Sequence, residues 1–152
     1  VSAPKTIERI VDAFPAHQQT QIRVMLAESL RGVVCQQLMD RADGDGRILA
    51  CEVLLNTPAI AHMIRQGKSH HITQNLTTGY DKGMRLLDRE LLRLVQEGIV
   101  SLDEAFVKAN DGRSFMKMVE EAKMGALDLD EIEPGMRLAD DGGDDSMNVQ
   151  EG

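Results

Sequence analysis

The chain has 152 residues, 42% of them hydrophobic and 28% charged, and a formal net charge of −8. That length suits one domain plus a tail and is enough to bury about two thirds of the unfolded surface. Three Phe, one Tyr and no Trp leave the core to Leu, Ile, Val, Ala and an unusual nine Met. No apolar run approaches the roughly 20 residues that a membrane-spanning helix needs, and no leader pattern opens the chain. The expected location is cytoplasmic, with Cys35 and Cys51 as thiols rather than a disulfide.

The charge is segregated. Residues 128–152 hold nine acids against the single base Arg137, which accounts for the whole net charge, while residues 1–127 carry 16 of each sign. A neutral body with few aromatics argues against nucleic acid as a partner. The segment 125–152, with Pro134, Gly135 and the run Asp140-Asp141-Gly142-Gly143-Asp144-Asp145, reads as a disordered acidic tail. It is either a solvated tail or a contact segment for a basic partner.

Ile7, Ile10, Val11 and Phe14 have helical spacing over 2–14, ended by Pro15. A second helix is expected from about Ala16 to Arg31, with Ile22, Met25, Leu26 and Leu30 inward and Gly32 as its stop. Two short apolar runs flank Asp43-Gly44-Asp45-Gly46 and read as a β-hairpin, since Asp-Gly supplies the positive φ of such turns. Thr57-Pro58 then opens a helix striped by Ile60, Met63 and Ile64. Further helices are expected over 70–80, 84–96 and 111–123, with a short one opened by the capping-box spacing of Ser101 and Glu104.

Residues 41–52 come close to a calcium-binding EF-hand loop, with Asp43, Asp45, Gly46, Ile48 and Glu52 at positions 3, 5, 6, 8 and 12. Arg41 stands where the first carboxylate should be, and the flanks read as strands, so the segment is a hairpin turn. His17, His62, His70 and His71 show no metal-ligand spacing, and no local signature supports a catalytic Cys–His pair. The chain contains no GxxxxGK[ST] phosphate loop, dinucleotide fingerprint, GxSxG elbow or HExxH helix. On its residues alone it is a helical interaction module without an active site of its own.

Several strings nevertheless resemble one family. SAPKTIERIVDAFP (2–15), QIRVMLAESLRGVVCQQLM (21–39), GRILACEVLLNTPAIAHMIRQGK (46–68) and TGYDKGMRLLDRELLRLVQEGIVSLDEA (78–105) are similar, in order, to the C-terminal part of the type IV pilus retraction ATPases, the PilT/PilU family of secretion-type motors. The family's AIRNLIRE helix falls on AIAHMIRQ, residues 59–66, where Ala59, Ile60, Ile64 and Arg65 agree and Ala61, His62, Met63 and Gln66 depart.

The resemblance implies an α/β fragment. Residues 1–56 would be the last strands and helices of a RecA-like ATPase core, 57–124 a C-terminal helical subdomain, and 125–152 the acidic tail. In that family the nucleotide-binding boxes lie upstream of these strings, so ATP and Mg would belong to the full-length parent and not to this chain alone. The parent would be a homo-hexamer that drives pilin disassembly in twitching motility. It would sit peripherally at the inner membrane against the pilus platform protein, without inserting into the bilayer.

The motor-coupling motif would comprise Ala59, Ile60, His62, Ile64 and Arg65, with core packing alone able to explain Ile60 and Ile64. Only His62 and Arg65 are argued to face a partner. The alternative is a stand-alone helical adaptor that docks on pilus motors. The helices before the hairpin are also expected to expose apolar faces, leading to oligomers or aggregation of the isolated chain.

Overall fold

A computed structural model describes residues 2–130. Seven α-helices and one two-stranded antiparallel sheet make up an α/β arrangement among these residues. In chain order they are α1 (Ala3–Asp12), α2 (Ala16–Ser29), β1 (Gly32–Asp40), β2 (Arg47–Leu55), α3 (Pro58–Gln66), α4 (Ile72–Thr78), α5 (Leu87–Gln96), α6 (Leu102–Lys108) and α7 (Gly112–Asp130). Single 3-10 turns at Ser69–His71 and Tyr80–Lys82 bracket α4.

The hairpin register pairs Cys35 with Glu52, Gln37 with Ala50 and Met39 with Ile48. Strand alternation then puts Cys35, Met39, Ala50, Glu52 and Leu54 on the buried face. The connection is longer than the tight turn expected from the sequence, spanning 41–46, with Gly44 at φ 75° and Gly46 at φ 82°. Asp43 stabilises it by accepting from the Asp45 backbone N–H at 3.0 Å.

Two hydrophobic clusters share the inner face of the hairpin. Cys35 and Leu54 join Ile7, Ala27, Ile60, Ile64, Ile72 and Leu76 in the first. Met39 and Ala50 join Leu87, Leu91, Leu94, Ala105, Phe115 and Val119 in the second. On β2, Ala50 serves one cluster and Leu54 the other. Glu52, lying between them, marks the seam.

Further expectations are corrected. Helix α2 does not bury Met25, which is 55% exposed, and only Ala27 along its length is buried. Its end is held by Asn56, whose Nδ2 donates to the Ala27 and Leu30 carbonyls at 2.9 and 2.8 Å. Gly32 instead opens β1, where a Cβ would lie 2.8 Å from the Leu54 carbonyl oxygen.

Residues 84–86 are not helical, because Arg85 and Val53 exchange two backbone hydrogen bonds of 2.9 Å and extend the sheet by one bridge. The helix expected over 70–80 is α4 between its two 3-10 turns. Helix α7 runs seven residues past Lys123 to Asp130, so the start of the acidic segment is helical. The remainder of the tail, from Glu131, lies outside the described residues.

The outer face of the hairpin exposes Val34, Leu38, Leu49 and Leu55, and Ile10 on α1 and Phe14 just beyond its end are exposed. No described helix is long and apolar enough to cross a membrane.

Candidate functional site

Local chemistry builds α3. Thr57 Oγ1 accepts from the Ile60 backbone N–H at 3.4 Å, Pro58 occupies the first turn, and Gly67 takes φ 67° at the end. The Lys68 N–H donates to the Met63 carbonyl at 2.9 Å and that of Gly67 to Ile64 at 3.1 Å, a Schellman closure. Helical periodicity then sorts the motif. Ile60 and Ile64 are fully buried, whereas Ala59, His62 and Arg65 are exposed. Ala61 is also buried, in the same cluster as Ala27 of α2. The structure therefore brings His62 and Arg65, three residues apart, onto one solvent-facing row with Ala59.

Sequence reasoning missed a second feature. Glu52 is 0% exposed yet carries a carboxyl group. Its Oε1 accepts from the Ala3 N–H at 2.7 Å, and its Oε2 from the Leu87 N–H at 3.4 Å and Asn110 Nδ2 at 2.9 Å. The adjacent buried Asp88 accepts from the Asn110 and Asp111 backbone N–H groups at 2.8 and 3.4 Å. Burial pushes both carboxyls above their usual range, and these hydrogen bonds partly oppose it. The only sequence signal was an acid at an inward position of a strand.

A cavity of about 430 Å³ opens over this joint, lined among others by Lys5, Glu52, Asp88, Arg89 and Asp111. Three carboxylates in its wall oppose a polyphosphate, and no glycine-rich loop offers backbone donors to one. The acidic wall of this cavity does not suit a nucleotide.

At the near-EF-hand loop, Arg41 Nη2 meets Asp43 Oδ2 at 2.6 Å, and the guanidinium holds the Asp43 carboxyl down to about 2. Arg41 and Asp43 thus pair with each other at the surface. Among the described residues, no group of three or more His, Cys, Asp or Glu side chains is arranged to hold a metal. Cys35 is buried and Cys51 half-buried, both as free thiols.

A scan of family profiles finds no match to the chain. Individual relatives do match. The chain is 41% identical over 114 residues to the type IV pilus retraction ATPase PilT of Pseudomonas aeruginosa, covering 75% of this chain and 33% of that protein. It is 39% identical over 112 residues to a twitching motility protein of Neisseria gonorrhoeae, covering 74% and 30%. A crystal structure of the pilus retraction motor PilT with bound ADP superimposes with a TM-score of 0.66 and 32% identity, over 74% of this chain and 31% of that one.

The fold and these matches together place the chain among relatives that are pilus-motor ATPases. The chain belongs to the PilT family of type IV pilus retraction ATPases, matching the C-terminal part of these proteins. It spans about a third of the length of the relatives it matches.

Proposed function

We propose that this chain is the C-terminal segment of a hexameric ATPase that powers type IV pilus retraction. It would couple ATP hydrolysis elsewhere in the motor to pilin disassembly. In this reading residues 1–56 complete a RecA-like core and 57–124 form the helical subdomain. ATP and Mg bind in the full-length parent, which works peripherally at the inner membrane against the pilus platform protein.

The observation that carries the reading is the division of α3. Its buried Ile60 and Ile64 anchor the helix, while Ala59, His62 and Arg65 stay outside, in a chain 41% identical to a pilus retraction ATPase. An exposed side chain on an anchored helix is available to transmit force to a neighbour.

The test is Arg65→Ala in the full-length parent motor. Twitching should fall sharply while ATP hydrolysis and the melting temperature stay at wild-type values. Unchanged twitching would remove α3 from the coupling path.

A further inference from the structure

Arg23 of α2 lies flat against the end of α3. A Cβ on Gly67 would meet its Cζ, Nε and Nη1 at 3.4, 3.5 and 3.5 Å, so the guanidinium plane covers the residue that closes the helix. Nη1 is buried and makes no hydrogen bond. Asn56 Oδ1 and Ser69 Oγ are unpartnered too, but only the guanidinium carries charge. A buried donor left unpaired is costly, and a charged one more so.

The neighbours of Arg23 add to its charge. Arg65 and Lys68, both exposed, stand two residues before Gly67 and one after it. Among the described residues, none of the three cations makes an ion pair. The elements packed most extensively on α3 are α2, α4 and the 3-10 turn Ser69–His71. Together with α3 they hold one acid, Glu28. Asn56, just before α3, bonds the Ala27 and Leu30 carbonyls, which places Glu28 toward the other end of α3 from Arg23. Helix α1, which packs on α2 and on the same turn, is balanced, with Glu8 and Asp12 against Lys5 and Arg9. The negative end of the α3 dipole amounts to about half a charge, which offsets part of one cation and leaves most of the three.

Two anionic surfaces match such a group, a bilayer and an acidic polypeptide. A bilayer holds a few basic side chains only weakly unless an apolar anchor joins them. From Pro58 to His71 no large hydrophobic side chain is exposed. Arg23 is half-buried between exposed neighbours, a relief that single projecting carboxylates follow and a flat layer of headgroups does not. The observations favour the polypeptide.

We propose that the C-terminal end of α3 is a docking point for an acidic polypeptide segment of a neighbouring protein, whose carboxylates bind Arg23, Arg65 and Lys68. The planar Arg23 fork, already held against Gly67, loses little freedom when it donates to a carboxylate. This docking point rests on the retraction reading, in which α3 is the helix that meets a neighbour, and it gives that neighbour its chemistry.

The test titrates the full 152-residue chain with a hexaglutamate peptide at about 20 mM NaCl, where charges are little screened. Backbone amide and arginine Nε–H resonances follow binding in the wild type, Arg23→Gln, Arg65→Ala, Lys68→Ala and Arg47→Ala, the last removing an exposed cation on the hairpin. Thermal melts establish that each variant is folded. Arg65 and Lys68 are exposed, so their variants decide the matter even where Arg23→Gln does not fold.

The peptide should shift the amides of 65–68 and the Arg23 Nε–H resonance. Affinity should fall about tenfold in Arg23→Gln and severalfold in Arg65→Ala and Lys68→Ala, as charge-assisted hydrogen bonds are lost, while Arg47→Ala matches the wild type. Absent shifts overturn the proposal, and an equal loss in Arg47→Ala overturns it in favour of unspecific attraction. Vesicles of about 30% phosphatidylglycerol in phosphatidylcholine are the second probe. If the three site variants weaken binding to vesicles and not to the peptide, the partner is the membrane instead. The peptide reads recognition by this chain and twitching of the Arg65→Ala motor reads coupling in the parent, so the docking point and the retraction reading fail separately.

Discussion

Asn110 donates its side-chain amide to Glu52 at 2.9 Å across 58 positions of sequence, and its backbone N–H to Asp88 at 2.8 Å. One residue in the α6–α7 turn thus joins two buried carboxylates. Glu52 in turn holds the first turn of α1 through Ala3 and the first turn of α5 through Leu87. The joint lies on β2 between the two hydrophobic clusters, so it fixes how the α5–α7 group sits against the hairpin and α1.

Glu52→Gln should destabilise the chain by about 1–3 kcal/mol, since an amide replaces one acceptor oxygen with a donor that faces N–H groups. The cost should depend on pH. The carboxyl of Glu52 is raised in the folded state, so its stabilising contribution is fully present below the ordinary glutamate range and is lost as pH rises through the folded value. The stability gap between wild type and variant, from urea unfolding at a series of pH values, should narrow from about pH 4 upward. A gap that widens would mean that the folded carboxyl is lowered instead.

Asn110→Ala removes the side-chain donor to Glu52 but leaves both backbone bonds to Asp88 in place. A loss of about 1–2 kcal/mol is expected in denaturant unfolding. In a double-mutant cycle with Glu52→Ala, which removes both acceptor oxygens, the two losses should not add, because both remove the same bond. Additive losses would separate Asn110 from the joint.

Two neighbours on α3 should behave oppositely. Ile64 is 0% exposed, and Ile64→Asp buries an unpaired charge at a cost of several kcal/mol, which should leave little folded chain by circular dichroism. Arg65 is exposed and makes no ion pair among the described residues, so Arg65→Ala should stay within about 0.5 kcal/mol of wild type.

Gly79 has an ordinary backbone conformation at φ −90°, and steric room alone requires glycine there. An added Cβ would meet Met84 Sδ at 2.5 Å and the Asn75 carbonyl oxygen at 2.9 Å. Gly79→Ala should lower stability by about 1–3 kcal/mol and move the melting temperature accordingly. An unchanged melting temperature would show that Met84 swings away without loss.

Much of this architecture is written locally. Thr57-Pro58 and Gly67 bound α3. Ser101 caps α6 by accepting from the Glu104 N–H at 3.2 Å, and the Asp-Gly pairs turn the hairpin. Each signal acts within a few residues, so it can be read from the string itself, as can the spacing that buries Ile60 and Ile64 while exposing His62 and Arg65. The resemblance that assigns the chain to its family is equally a property of sequence order.

Tertiary structure decided the rest. Met25 is left in solvent while the smaller Ala27 is buried, because the packing of α2 against its neighbours chooses the contact face. Arg85 is extended because Val53, 32 positions earlier, supplies its hydrogen bonds. In the sequence Glu52 stands only at the twelfth position of the near-EF-hand loop, and its role appears only when donors arrive from residues 3, 87 and 110. Periodicity and capping report short-range geometry. The satisfaction of a buried charge depends on groups that only the folded chain brings together.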